Sequence, residues 1–305
     1  MGGINWVGSG WGHQPSTVDD VLFAINRIGT WASSRRYAFR GVKNHGWPIQ
    51  SSLQRFIEKH HGVDHVHNER SNRAAERRVL ELARRWELED GGQATDQTLL
   101  ARLQHHGSPT RLLDVTSDPI TALWFATEPF EQRGVHGVVF AFDITGLSVL
   151  EANPPDTWGS VEDPHGWHFE HQLELSLEQQ QPFVVRPFPR DQRMAAQQAF
   201  FLTGVVPEAP TIHGLDVFPL SADPPGEDRL KRVFGQRSRG YPAKIPFVAI
   251  VVPHMLKAKI RAALESTWSR RRETLFPDLA GLAAAIQDEP QRIDVSIAVS
   301  SSPGV

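Results

Sequence analysis

Leu103-Gln-His-His-Gly-Ser-Pro-Thr-Arg-Leu-Leu-Asp114-Val-Thr-Ser-Asp-Pro119-Ile-Thr-Ala-Leu-Trp-Phe-Ala126 is the stretch that decides how this chain folds. Thr95 starts a helix with Leu99, Leu100 and Leu103 apolar, and Gly107-Ser108-Pro109 ends it. Asp118 then stands directly before Pro119, a capping side chain followed by a proline at the first helical position. The helix predicted over Ile120–Glu128 is nearly all apolar, so burial is expected. Between the two helices lie Gln104, His105, His106, Thr110, Arg111, Asp114, Thr116 and Ser117. Such polar density beside a buried helix calls for many internal hydrogen bonds or for a ligand. In the first reading Asp118 caps the helix and Arg111 pairs with Asp114. In the second the same helix N-terminus is an anion site. The residues alone leave both open.

Toward the N-terminus, Ser16 or Thr17 caps a helix carrying Val18, Val21, Leu22, Ile25 and Ile28 at helical spacing. Tyr37–Val42 reads as a short strand, and Leu53–Ile57 as a short helix. Residues 60–68 read as a His-rich loop. From Glu69 to Glu89 the spacing predicts an amphipathic helix with Ala75, Val79, Leu82 and Trp86 on its apolar face. Toward the C-terminus, Gly137–Ile144, Phe183–Phe188, Gln197–Leu202 and Ile245–Val252 read as strands, the last most strongly. Residues 151–171 and 207–227 read as loops. Pro253 opens a helix with Leu256, Ile260, Ala263 and Leu264 on one face, and Pro277 opens the last one, with Leu279, Leu282, Ala283 and Ile286. There is no regular strand–helix alternation and no internal repeat, so the fold class is α+β. The expected organisation is an N-terminal arm and helix over 1–35, a main domain over 36–290 and a tail over 291–305.

The chain has 305 residues and no Cys, which excludes disulfides, thiolate catalysis, iron–sulfur clusters and Cys-ligated zinc. Its formal net charge of −3 argues against a sequence-blind polyanion binder. Of the 32 Lys and Arg, 26 are Arg, which favours bidentate clamping of anions over point charges. No stretch approaches the roughly 18 apolar residues of a membrane span. The start, Met1-Gly-Gly-Ile-Asn-Trp6, has neither a basic segment nor an apolar run. The expected location is the cytoplasm, with no membrane contact.

No Walker loop, Gly-x-Gly-x-x-Gly, His-Glu-x-x-His or Gly-x-Ser-x-Gly is present. Phe39-Arg40-Gly41 places an Arg at a strand end beside a Gly, where it can meet a phosphate or carboxylate closely, or pair structurally with a carboxylate such as Asp114. Arg193-Met-Ala-Ala-Gln197-Gln198 opens a strand, and a Gln there can fix a ribose hydroxyl or simply occupy a strand edge. His60, His61, His65 and His67 crowd one loop, and His165, His168 and His171 sit three apart, but neither set matches a zinc spacing, so no metal is expected. Residues 229–244 are basic, with Arg229, Lys231, Arg232, Arg237, Arg239 and Lys244. They read as a solvated loop or as a nucleic-acid contact.

These pieces together resemble the FRG domain family of bacteria and phages, named for the Phe-Arg-Gly seen here at residues 39–41. Trp47-Pro-Ile-Gln-Ser-Ser-Leu53 resembles the family's continuation, and Leu103–Ala126 its longest motif. Arg193–Phe200 and Thr274-Leu-Phe-Pro-Asp-Leu-Ala-Gly281-Leu resemble its two later motifs. Val115 and Ala199 stand where Trp and Gly are usual. The family resemblance implies a role in phage–host conflict, as a toxin or defence effector with a neutralising partner protein. A weaker resemblance is to Arg-Ser-Glu type ADP-ribosyltransferases: Tyr37–Gly41 is similar to their aromatic-Arg-Gly strand. Asp114–Ser117 followed by Ala122–Ala126 is similar to their second strand and helix, and Gln197-Gln198 falls where their third element would, without a clear Glu. This resemblance implies a helical N-terminal half packed on a split, mostly antiparallel mixed sheet, with NAD as cofactor. Its implied catalytic set is Arg40, His105, Asp114, Thr116 and Gln197. Its implied cofactor-binding set is Arg40, Gly41, Arg111, Thr116, Ser117 and Gln198. In that scheme Arg40 clamps the pyrophosphate, Thr116 and Ser117 order the nicotinamide ribose, and Gln197 or Gln198 binds ribose hydroxyls. Negative charge comes from Asp114 or Glu170. The rivals are a non-catalytic module for nucleotide, nucleic acid or protein, and a hydrolase using His105 with Asp114.

Overall fold

The computed structural model describes residues 4–31, 35–86, 95–130, 132–151, 167–186, 192–206, 223–235 and 245–288. In chain order the elements are β1 (Gly12–His13), α1 (Val18–Trp31), β2 (Tyr37–Val42), α2 (Ser52–His61), α3 (Glu69–Arg85), α4 (Asp96–His105), β3 (Leu113–Thr116) and α5 (Pro119–Ala126). They continue with β4 (Gly137–Asp143), β5 (Val149–Glu151), α6 (Trp167–Gln179), β6 (Phe183–Arg186), α7 (Gln192–Ala196) and β7 (Ala199–Thr203). The chain closes with α8 (Glu227–Phe234), β8 (Phe247–Val252), α9 (His254–Thr267), α10 (Arg272–Leu275) and α11 (Leu279–Asp288).

The strands form one mixed sheet in the order β1-β8-β4-β2-β3-β7-β6-β5. The outermost pairs, β1 with β8 and β5 with β6, are parallel, and every pair between them is antiparallel. The α+β class stands. The sheet is weakest at its middle. β2 and β4 share six register pairs, whereas β2 and β3 share one, Phe39 with Thr116. Two four-stranded halves thus meet at a single rung.

Side-chain alternation along the strands sorts the core into three clusters. One face carries Ala38, Val115, Phe140, Phe200 and Phe247 under α2, Trp6 and Trp11, and runs across both halves. On the other face the core divides. Phe39, Val139 and Ile250 pack under α1, α5, α8 and α9, while Phe183, Val185 and Phe201 pack under α3, α4 and α6. The opening between those two cores is where a site can form.

Helix α5 lies almost backbone to backbone on the sheet. A Cβ on Gly41 would fall 1.7 Å from the Ala122 carbonyl oxygen, and one on Gly137 would fall 1.9 Å from that of Ala126. Its start is fixed as read: Asp118 Oδ1 accepts from Ile120 N at 3.0 Å and Oδ2 from Thr121 N at 3.2 Å. Arg270 holds the same carboxylate at 2.8 Å.

Several sequence expectations change. The buried face of α3 is Asn72, Glu76, Leu80 and Ala83, while Leu82 and Trp86 are 44% and 76% exposed. The helix is rotated because a buried arginine, Arg111, needs Glu76. On α11, Leu279 and Leu282 are exposed rather than core, because the helix borders an opening. The 151–171 loop gives way to α6 from Trp167, and 152–166 lie outside the described residues. The N-terminal arm carries β1, which joins the sheet beside β8, and its Trp6 and Trp11 are buried in the core. Within the basic stretch, Arg229, Lys231 and Arg232 lie on α8, whose Leu230, Val233 and Phe234 are buried. Residues 236–244, the tail 291–305 and the loop residues 207–222 lie outside the described residues. Arg193 opens no strand but lies on α7, because β7 begins only at Ala199.

Candidate functional site

A cleft of about 1360 Å³ opens where β2 and β3 part. Its floor is Arg40, Gly41, Asp114 and Thr116, and one wall is the end of α4 with Gln104, His105 and His106. Phe39, Phe125, Phe201 and Met194 supply apolar surface, and α10 and α11 form the rim with Glu273, Phe276 and Asp278.

Arg40 explains the opening. The single rung Phe39–Thr116 would next set Gly41 opposite Asp114. There the Arg40 guanidinium takes over, with Nη1 donating to the Asp114 carbonyl oxygen at 2.7 Å. The Asp114 carboxylate lies 3.7 Å away, and its side chain is 55% exposed to the cleft. Burial depresses the Arg40 pKa; Asp114 counters this and nearby Arg55 adds to it. Guanidinium stays charged at any ordinary pH, so the cleft floor carries a fixed cation with only partial compensation.

A hydrogen-bond chain orients Asp114. Gln104 Nε2 donates to Asp114 Oδ2 at 2.6 Å. The acceptor-only carboxylate fixes which end of the amide faces it, and Gln104 Oε1 then accepts from Thr110 Oγ1 at 2.7 Å and from Ser52 Oγ at 3.0 Å. Thr116 Oγ1 donates to the Gln197 carbonyl at 2.7 Å and accepts from Asp118 N at 2.9 Å. Its hydroxyl is therefore spent on holding the cleft wall rather than on a ligand. Gln197 Nε2 donates to the Leu275 carbonyl at 2.8 Å, tying α7 to α10 and leaving Oε1 as the acceptor on that side chain.

Of the residues expected from sequence, Arg40, Gly41, His105, Asp114, Thr116 and Gln197 come together on the cleft. Three do not line it. Arg111 is 4% exposed and turned into the protein, with Nε on Glu76 at 2.7 Å and Nη1 on Glu69 at 3.2 Å. It pairs with those acids, not with Asp114. Ser117 Oγ donates to Gln198 Oε1 at 3.1 Å, so the two satisfy each other; Gln198 sits in the left-handed region at φ 49° in the turn into β7. Gly41 lines the cleft, but α5 fills the space beside its Cα. Glu170 is remote, on α6, paired with Arg73 and Arg77.

Sequence reading missed Glu273, Asp278 and Arg193. Asp278 Oδ1 accepts from Gly281 N at 2.6 Å, capping α11, while its Oδ2 is buried without a hydrogen-bond partner. The Arg193 guanidinium stacks on Phe276 at 4.4 Å from the ring centroid. The signal lay in Thr274–Gly281, where an acid after Phe-Pro precedes the helix. Of the His sets, His60 and His61 lie on α2, His165 lies outside the described residues, and His168 has no described side chain. Among the described residues no three His, Asp or Glu converge as a metal site requires.

Comparison with known proteins agrees with the central motifs. The FRG domain family model matches residues 35–133, so this stretch is an FRG domain. The match spans β2 to the turn after α5, which includes the cleft floor. No curated protein and no solved structure matches the chain. Among the described residues no helix is long and apolar enough to cross a membrane.

Proposed function

We propose, from the premise of an FRG domain built around this cleft, that the protein is an ADP-ribosyltransferase-like enzyme acting on a macromolecule. The observation that carries the reading is the convergence of Arg40, Asp114, Gln197 and Glu273 on one cleft at the parted rung of the sheet. The donor set fits a dinucleotide. A buried guanidinium meets a diphosphate, and an orphaned acceptor, Asp278 Oδ2, meets a sugar hydroxyl. NAD⁺ would supply the glycosidic bond whose cleavage releases nicotinamide.

The chain's own groups then have distinct tasks. Arg40 binds the diphosphate. Gln197 Oε1 and Asp278 Oδ2 accept from ribose hydroxyls. Phe125, Phe201 and Phe276 give the ring an apolar wall. Glu273 and Asp114 place negative charge where a cationic sugar develops, so they lower the barrier electrostatically. Glu273 thereby fills the role for which the sequence offered no clear carboxylate. His105, at the cleft wall, stands where it can take the proton of an incoming nucleophile. The target belongs to a phage–host conflict on this reading, and a neutralising protein is its expected partner.

A second reading is a non-catalytic binding module for nucleotide, nucleic acid or protein. The internally satisfied Thr116 hydroxyl favours it. Nicotinamide release separates the two. Wild type is expected to consume NAD⁺, Glu273→Gln to lose about 10²–10³-fold in rate while keeping NAD⁺-dependent thermal stabilisation, and Arg40→Ala to lose that stabilisation. Absence of both release and stabilisation in wild type would remove NAD⁺ from the scheme. Stabilisation without release would leave the binding module.

A further inference from the structure

Away from the cleft, three segments bring five basic side chains together. Lys43 and His45 follow β2, His136 directly precedes β4, and His254 and Lys257 lie in the first turn of α9. The His136 ring stands between the other imidazoles, its centroid 5.0 Å from that of His45 and 5.3 Å from that of His254. Lys257 is only 8% exposed, and its Nζ donates to the Lys43 carbonyl at 2.7 Å. The Lys43 ammonium lies over the Phe130 ring at 5.9 Å. The carboxylate that faces the group is Glu128, which also acts on Arg261. Among the described residues Glu128 is the carboxylate felt at Lys257, and none shifts His45 or His136.

That imbalance is visible in the titrating groups. Lys257 is pushed down to about 8, first by burial and then by Lys43. His136 is lowered by burial, then by His45, His254 and Lys257. His45 is lowered by burial, against a backbone hydrogen bond with His136 that raises it, and more weakly by Lys257. Two hydrogen-bonding features point the same way. His45 Nδ1 is buried with no partner. Helix α9 starts at Pro253 without a side-chain cap, and the acceptor its first N–H meets is His136 Nδ1 at 3.0 Å. Proton uptake at that nitrogen would remove the acceptor, and an anion would replace it.

We propose that Lys43, His45, His136, His254 and Lys257 form a second anion site, separate from the cleft and suited to a phosphate group. A phosphate supplies the negative charge that Glu128 alone does not. It also permits His45 and His136 to protonate. A histidine held below its ordinary value contributes stability that is present above about pH 6.5 and lost as pH falls through its folded value. Bound phosphate opposes that loss, so its stabilising effect grows on acidification.

The test is thermal melting of the full chain in millimolar inorganic phosphate, at constant ionic strength, near pH 8 and near pH 6. Sulfate, whose charge is constant over this range, serves as control. Arg40→Ala, which removes the cleft cation, is expected to keep a phosphate response that is stronger at the lower pH. Lys43→Gln and His136→Asn are expected to bind it at least about 10-fold more weakly. A short single-stranded oligonucleotide identifies the source. Tighter binding than phosphate, weakened by Lys43→Gln, assigns a nucleic-acid backbone, while binding of phosphate alone assigns a free phosphate or phosphomonoester. The proposal is overturned if wild type responds to neither anion, if both cluster variants keep wild-type affinity, or if Arg40→Ala abolishes the response.

Discussion

Arg111 and Arg40 both face carboxylates, yet one pair is sealed and the other opens onto a cleft. The Arg111 side chain is 2% exposed, with Glu76 at 7% and Glu69 at 18%. The Arg40 side chain is 18% exposed and Asp114 is 55%. Arg111 reaches its acids from the segment just before β3, so it ties α3 to the sheet. Arg40 reaches Asp114 across a gap in the ladder, so it bridges two half-sheets that barely pair. Removing a partner from a sealed pair strands a charge, whereas removing one from an open pair lets water replace it. Chemically similar pairs thus divide into one that maintains the fold and one available to a ligand.

The largest effect is expected in the sealed triad. Glu76→Ala should cost about 3–5 kcal/mol in urea unfolding, because the Arg111 guanidinium stays buried without its main partner. Replacing both ends, Arg111→Met with Glu76→Leu, should recover most of that loss; a double variant as unstable as the single would mean that the charge itself was not the cause. Next comes Arg40→Ala, which should cost only about 1 kcal/mol of stability while changing ligand response. A loss as large as that of Glu76→Ala would erase the distinction between the pairs. The smallest effect is the coupling between Arg40 and Asp114 in a double-mutant cycle, about 0.5 kcal/mol at low salt. Molar salt should bring it near zero and leave the Arg111–Glu76 coupling intact.

The comparison also shows where sequence reading reached and where it stopped. β2, β4, α5 and α9 follow from local signals: an apolar run, an Asp-Pro start, a stop. Six expected residues line the cleft from four places in the chain: Arg40 and Gly41 on β2, His105 on α4, Asp114 and Thr116 on β3, and Gln197 in the turn before β7. Spacing pairs Arg111 with Asp114 three residues away, whereas the acids it meets lie 35 and 42 residues earlier on α3. The inverted burial on α3 has the same origin. Hydropathy selects Leu82 and Trp86 for the core, but a buried guanidinium selects Glu76. Four-residue β3 and the three residues of β5 are too short to carry a period. Glu273 lines the cleft only through tertiary contact, which no spacing in a single sequence displays.

The contact of α5 with Gly41 and Gly137 has one more consequence. With backbone resting on backbone, no intervening side chain can be exchanged for a larger or smaller one, so the helix has no adjustable spacer. Its position is a fixed datum from which Asp118, Thr116 and the cleft floor are all measured. Diversification of such a cleft, by selection or in a laboratory library, has its freedom in Met194, Leu279, Leu282 and other rim side chains. The two glycines would return only themselves.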